Sequence, residues 1–233
     1  MNANERADRK MKYIYILFSA TPYKTGSFIR GVLRNRYNHV ALSFDEDLSH
    51  MYTFSRYHAN APFFAGFVKE SFARYEWHGH FSDIKVCRLK VSDKQFELIK
   101  THIQRMLRQK KVYVYNYYSA AVTPLHYRLN IRNAYTCVEF VGDILSMTSL
   151  GVKLGAFHSL PRLEKICQPY VIYEGSASKY PGAYTWSGDQ FKEKMPISEG
   201  IAETAKSFGR LTKRGIEDAY GFFCDKFSSA VKR

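Results

Sequence analysis

The sequence predicts an α+β domain, and three observations carry that expectation. Apolar runs of strand length, rich in β-branched and aromatic residues, recur along the chain. Two of them, "HVALSF" and "HMYTFSR", are separated only by the acidic turn "DEDLS", the layout of an antiparallel hairpin. Two capped amphipathic stretches, over 92–109 and from residue 136 onward, have helical spacing instead. With 233 residues, 45% hydrophobic and 16% aromatic, the chain is long enough to bury a core without disulfide support.

Taken in order, residues 1–11 are polar and read as a frayed, disordered terminus. "KYIYILFS" is a first strand and "SFIRGVLRNR" a short basic helix leading into the hairpin. The aromatic segment "NAPFFAGFVKESF" reads as a loop and partial strand, with Phe63, Phe64 and Phe67 read as core packing, or else as contacts or a lid for an apolar substrate. "IKVCRLKV" alternates as a strand does. In "SDKQFELIKTHIQRMLRQ", Phe96, Ile99, Ile103 and Met106 fall on one helical face. The tyrosine-rich stretch "KKVYVYNYYSAAVTPLHYRLN", broken by Pro124, reads as a strand or helix start plus an excursion over a cleft. "LPRLEKICQ" is then a short helix and "PYVIYEG" a closing strand, which bounds the main domain at 12–174. Residues 175–196 have the Gly, Pro and Ser content of a linker. In the tail, 197–233, Ile201, Ala205, Phe208, Ile216, Ala219, Phe223, Phe227 and Ala230 recur near helical spacing among basic residues. Such a helix packs back on the domain, or docks on an anionic membrane surface or a partner protein; Gly209 and Gly215 weaken its continuity.

A formal charge of +14 favours an anionic neighbour without naming one. The early apolar run "YIYILFSA" is short and is followed by "TPYKTG", so it reads as a buried strand and not as a secretion signal. No stretch is long and apolar enough to span a bilayer, so the expected setting is cytoplasmic, peripheral to a membrane at most. Cys87, Cys137, Cys167 and Cys224 are widely spaced with no CxxC pair, which argues against a zinc ribbon or a disulfide framework.

The chemistry concentrates in "NAYTCVEFVGDIL". Thr136 and Glu139 form a capping-box pattern ahead of Val138, Phe140, Val141, Ile144 and Leu145, so Cys137 is the first helical residue. Free N–H groups and the positive end of the helix dipole favour a thiolate there; a buried structural thiol is the competing reading. A second feature, "YNHVALSFD", sets His39 at the opening of an apolar strand. Histidine base, cysteine nucleophile and a hairpin strand bearing polar side chains are the parts of a thiol–imidazole dyad.

These motifs, in this order, resemble the circularly permuted papain-like (NlpC-type) cysteine amidase superfamily, related to the lecithin retinol acyltransferase-like enzymes, in which the histidine strand precedes the cysteine helix. The likeness spans roughly residues 12–174 and implies a permuted papain-like fold, with an antiparallel sheet packed on the cysteine helix. It implies Cys137 as nucleophile and His39 as base. The family's ring-orienting side chain on the next strand, often Glu or His, falls on Thr53, with Ser55 on the same face and His50 a poorer fit. The implied activity is a thiol hydrolase (amidase or peptidase) or acyltransferase that cleaves an amide or ester of a peptide or lipid through a thioester, with no cofactor or metal. Tyr135 and Tyr37, each two residues before a dyad member, are candidates to line the cleft. A degenerate papain-like binding or scaffold module is an alternative, since a hydroxyl at Thr53 stabilises an imidazolium less than a carboxylate does. So is a nucleic-acid-binding protein, through basic runs such as "RQKKVYVYNYY", although no diagnostic motif accompanies them. His78 and His80 in "WHGHF" are spaced to share a strand face, but two histidines do not make a metal site.

Overall fold

The computed structural model describes residues 12–21, 35–156, 158–182 and 188–231. The terminus expected to fray, 1–11, and most of the expected basic helix over 27–36 lie outside the described residues. Among the described residues the fold is α+β: one large mixed sheet, a separate two-stranded hairpin and five α-helices.

The sheet is built around β1 (Lys12–Ser19), which pairs antiparallel with β2 (His39–Ser43) on one side and β7 (Asp83–Val91) on the other. Beyond β2 come β3 (Met51–Arg56), β4 (Ala65–Glu70), β8 (Val114–Tyr115) and β9 (Ala134–Tyr135); beyond β7 lies β10 (Val171–Ser176). All neighbours are antiparallel except β8 and β9. Every residue of β1 from Ile14 to Ser19 is buried because both faces of the sheet are covered. Ile14, Ile16 and Phe18 enter the larger core, while Tyr15 and Leu17 enter a second core on the opposite face. That two-sided burial is why the strand reads as a continuous apolar run and not as an alternation.

The larger core is closed by α1 (Asp93–Arg108), α3 (Cys137–Ser146) and α4 (Leu160–Cys167). A capping box starts α1, with Ser92 and Gln95 bonding each other's backbone N–H, and its buried stripe is Ile99, Ile103 and Met106. Phe96, from the same spacing, is half-buried with its ring edge-on to Phe44. Of the aromatic segment, Phe67 is a core residue on β4, whereas Phe63 is exposed. The tyrosine-rich stretch divides into β8 and the short helix α2 (Tyr117–Val122), capped by Asn116.

A small hairpin, β5 (Glu76–Trp77) and β6 (His80–Phe81), turns through His78 and Gly79, both at positive φ, the signature of a two-residue type I′ turn. His78 is therefore in the turn and only His80 on a strand, so the expectation of two rings on one strand face is corrected. Among the described residues no group of three or more His, Cys, Asp or Glu could hold a metal ion.

Residues 175–196, expected as a linker, are packed onto the domain in their described part. Tyr180 stacks on Phe72 and donates to the Glu46 carbonyl oxygen. Asp189 accepts two bonds from the Arg74 guanidinium, at 2.7 and 2.8 Å, with both side chains buried. The tail forms one helix, α5 (Ile197–Val231), that passes Gly209 and Gly215 unbroken. Its docked face differs from the expected one: Ser207 and Leu211 are buried, Phe208 stacks on Tyr117, and Ile201 and Ile216 face outward. Continuity comes from tertiary bonds, since Arg210 and Arg214 donate to the carbonyls of Lys111 and Val112. Phe223, Phe227 and Ala230 have side chains outside the described residues. No helix among the described residues is long and apolar enough to cross a membrane.

Removing one partner of a buried ion pair leaves an uncompensated charge. Asp189→Ala therefore lowers stability by about 3–5 kcal/mol in urea titration, whereas a free linker residue at that position would leave the midpoint unchanged.

Candidate functional site

Cys137 opens α3 as its spacing predicts. The Thr136 hydroxyl accepts from the Glu139 N–H, and the Glu139 carboxylate accepts from the Thr136 N–H. Burial raises the Glu139 pKa, against the pull of a Ser119 hydroxyl bond, the Thr136 N–H and Arg128. Arg128 also forks onto Asp143 at 3.0 and 3.2 Å, tying the chain that precedes β9 to the body of α3. The helix start that carries the thiol is thus held on several sides.

His39 enters from the first residue of β2. Pairing of β2 with β3 is confined to Leu42↔Tyr52 and Ser43↔Met51, at the far end of β2 from His39. The imidazole lines the same cavity as the Cys137 side chain, and its Nε2 lies 3.1 and 3.2 Å from the two oxygens of Glu70, the last residue of β4. Glu70 is 1% exposed and also accepts from the buried Tyr75 hydroxyl. Tyr75 stays protonated because burial and the Glu70 charge push its pKa well up. Burial taken alone would lower the His39 pKa; the Glu70 carboxylate and the Cys137 side chain outweigh it and raise the value to about 10.

Glu70, which sequence reasoning missed, takes the position expected for Thr53. The Thr53 hydroxyl instead donates to the Val40 carbonyl at 2.8 Å, inside the sheet. Two sequence signals pointed toward Glu70: a carboxylate at a strand end, and the tyrosine five residues later. His50 pairs with Asp45 at the hairpin turn. The segment after Glu70 is fixed by Ser71, whose N–H donates to Asp189, and by Arg74, which bonds Asp189 and the Arg56 carbonyl.

Cys137, His39 and Glu70 line a cavity of about 290 Å³ whose walls include Phe54, Tyr115 and Tyr117. Phe63 stands at this cavity, 58% exposed, with its ring 6.1 Å from that of Tyr117. Ser55 also lines it, accepting from Arg74 at 3.3 Å. The two tyrosines expected there are elsewhere. Tyr135 packs against Phe54 and Tyr113, and Tyr37 is fully buried, donating to Glu174. The tyrosines at the cavity are Tyr75, Tyr115 and Tyr117; burial and then the Cys137 charge push the Tyr115 pKa well up, so its hydroxyl remains a donor. Of the other cysteines, Cys87 and Cys167 are free thiols buried in the core, where the neighbouring Cys87 thiol and burial push the Cys167 thiol pKa far up.

No protein-family model matches the chain, and no curated protein or solved structure matches it either.

With a folded-state pKa near 10 against an ordinary 6.5, the protonated His39 ring stabilises the fold. That contribution is complete below pH 6.5 and fades as pH rises through about 10. An NMR titration of the ring should find it protonated across neutral pH. Glu70→Gln, which removes the negative neighbour, should move the transition toward acid; an unmoved transition would mean that Glu70 does not set the charge of the ring.

Proposed function

We propose that the protein is a cysteine-dependent hydrolase or acyltransferase that opens an amide or ester through a thioester, carried on a domain of permuted papain-like order. The observation that carries this reading is the His39 imidazole, held by a buried carboxylate and lining one cavity with the Cys137 side chain, whose charge acts on it. Nucleophile, base and orienting group belong to three elements far apart in sequence, and a structural thiol does not need a histidine held by a buried carboxylate beside it.

In this mechanism Cys137 Sγ attacks the substrate carbonyl carbon and His39 holds the proton that the sulfur gives up. With Nε2 engaged by Glu70, Nδ1 is the nitrogen left to serve the thiol. The oxyanion forms beside the Cys137 N–H, which at the first helical position has no intrahelical acceptor, and the Tyr115 hydroxyl is a second donor in the same cavity. When the tetrahedral species collapses, the carbon–nitrogen or carbon–oxygen bond breaks and His39 gives its proton to the departing amine or alcohol. Water or another acceptor then loses a proton to His39, adds to the thioester carbonyl and releases Cys137. The apolar walls Phe54, Phe63 and Tyr117 favour a substrate whose acyl part is aromatic or aliphatic.

Intact-mass spectrometry after incubation with a panel of acyl and peptidyl probes tests the reading. Cys137→Ala should form no adduct, and His39→Ala should form it about 10²–10⁴ times more slowly. Thr53→Val removes only the bond to the Val40 carbonyl; it should cost about 1 kcal/mol of stability and leave the adduct rate near that of the parent. An adduct that persists in Cys137→Ala, or a Cys137 no more reactive toward iodoacetamide than Cys87, would replace the enzyme with a binding module.

A further inference from the structure

A second and larger cavity, of about 1070 Å³, lies between α5, the β4 edge and the turn that follows α1. Its described walls carry seven lysine and arginine side chains against two carboxylates. Both carboxylates are committed, Asp189 to Arg74 and Glu203 to Lys206. Lys110, Lys111 and Arg210 have no carboxylate partner among the ion pairs of the described residues, and Lys213 adds a further cation to the same wall, reaching only its own helix's Glu217 at 4.0 Å. Burial pushes the Lys69 pKa down, and burial with the nearby Arg74 charge does the same to Lys110, whose ammonium sits 5.0 Å from the Tyr57 ring centre. Arg210 reaches the Lys111 carbonyl through Nη1, while its buried Nε has no hydrogen-bond partner. Like charges gathered at this cost are stabilised by an anion. The volume is at the upper end of the ~300–1,000 Å³ common for small-molecule sites, more than one phosphate ion fills.

We propose that this cleft binds a multiply phosphorylated ligand, a free polyphosphate compound or a phosphorylated lipid headgroup, at a site separate from the Cys137 cavity. Arg74 and Ala65 line both cavities and form the wall between them. The ligand reaches the cluster as a polyanion: Lys110, Lys111 and Lys213 are exposed enough to turn onto phosphate oxygens, and the Arg210 guanidinium offers a planar fork.

Isothermal titration of the full chain with inorganic tripolyphosphate tests the site. Saturable binding is expected at about 50 mM salt, with affinity falling steeply as salt rises. The double variant Lys110→Glu/Lys213→Glu should weaken it about tenfold or more, while Lys94→Glu/Lys100→Glu, an equal charge change on the exposed face of α1, should alter it less than about twofold. Cys137→Ala should bind as the parent does, which separates this site from the fate of the catalytic reading. Pull-down on phosphatidylinositol-phosphate vesicles, competed by tripolyphosphate, assigns a headgroup; tripolyphosphate binding with no vesicle capture assigns a free ligand. Absence of saturable binding, equal loss in both charge-reversal pairs, or single-stranded oligonucleotide binding that tripolyphosphate does not displace would overturn the proposal.

Discussion

Everything at the candidate site depends on one buried bond, between the His39 imidazole and the Glu70 carboxylate. A carboxylate with almost no water contact must have its lone pairs filled from within the protein, and His39 and Tyr75 fill them. The same bond spends one nitrogen of the ring and directs the other, so the orientation of the imidazole toward the cysteine is a consequence of burial and not a separate feature. Charge follows from it too: the carboxylate and the sulfur together overcome the burial that would otherwise leave this histidine neutral.

Around that bond the chain arranges support from distant segments. Glu70 ends β4, and the residues that follow are clamped by Asp189, which arrives from near the far end of the chain to accept the Ser71 N–H and the Arg74 fork. Arg74 in turn holds the Arg56 carbonyl at the end of β3. A segment with the composition of a spacer is therefore part of the machinery that positions the histidine. On the other side of the cavity, Arg128 and Glu139 fix the start of α3, so Cys137 and His39 are each set by their own ionic brace.

The helix α5 shows how tertiary bonds override local propensity. Two glycines and a misleading apolar stripe argue against a single helix, yet Leu211 enters a small core with Val114 and Ala134, and two arginines close unpaired carbonyls after α1. Docking on that face leaves lysines lining a cleft and isoleucines facing outward, a distribution that sequence spacing alone assigned the other way round.

By itself the sequence determined the elements whose signals are local. The α+β class, the β2–β3 hairpin, the capped start of α1 and the placement of Cys137 at the first turn of α3 all follow from caps, periodicity and turn residues within a few positions of one another. It also singled out Cys137 and His39. Only the tertiary structure decided which carboxylate holds the imidazole, which tyrosines line the cavity and which face of the last helix is buried. Those outcomes depend on where strands diverge and which distant side chain satisfies a buried polar atom, and the long-range geometry behind them leaves no periodic trace in the chain. Thr53 was the natural choice on the adjacent strand, but the Val40 carbonyl had already claimed its hydroxyl.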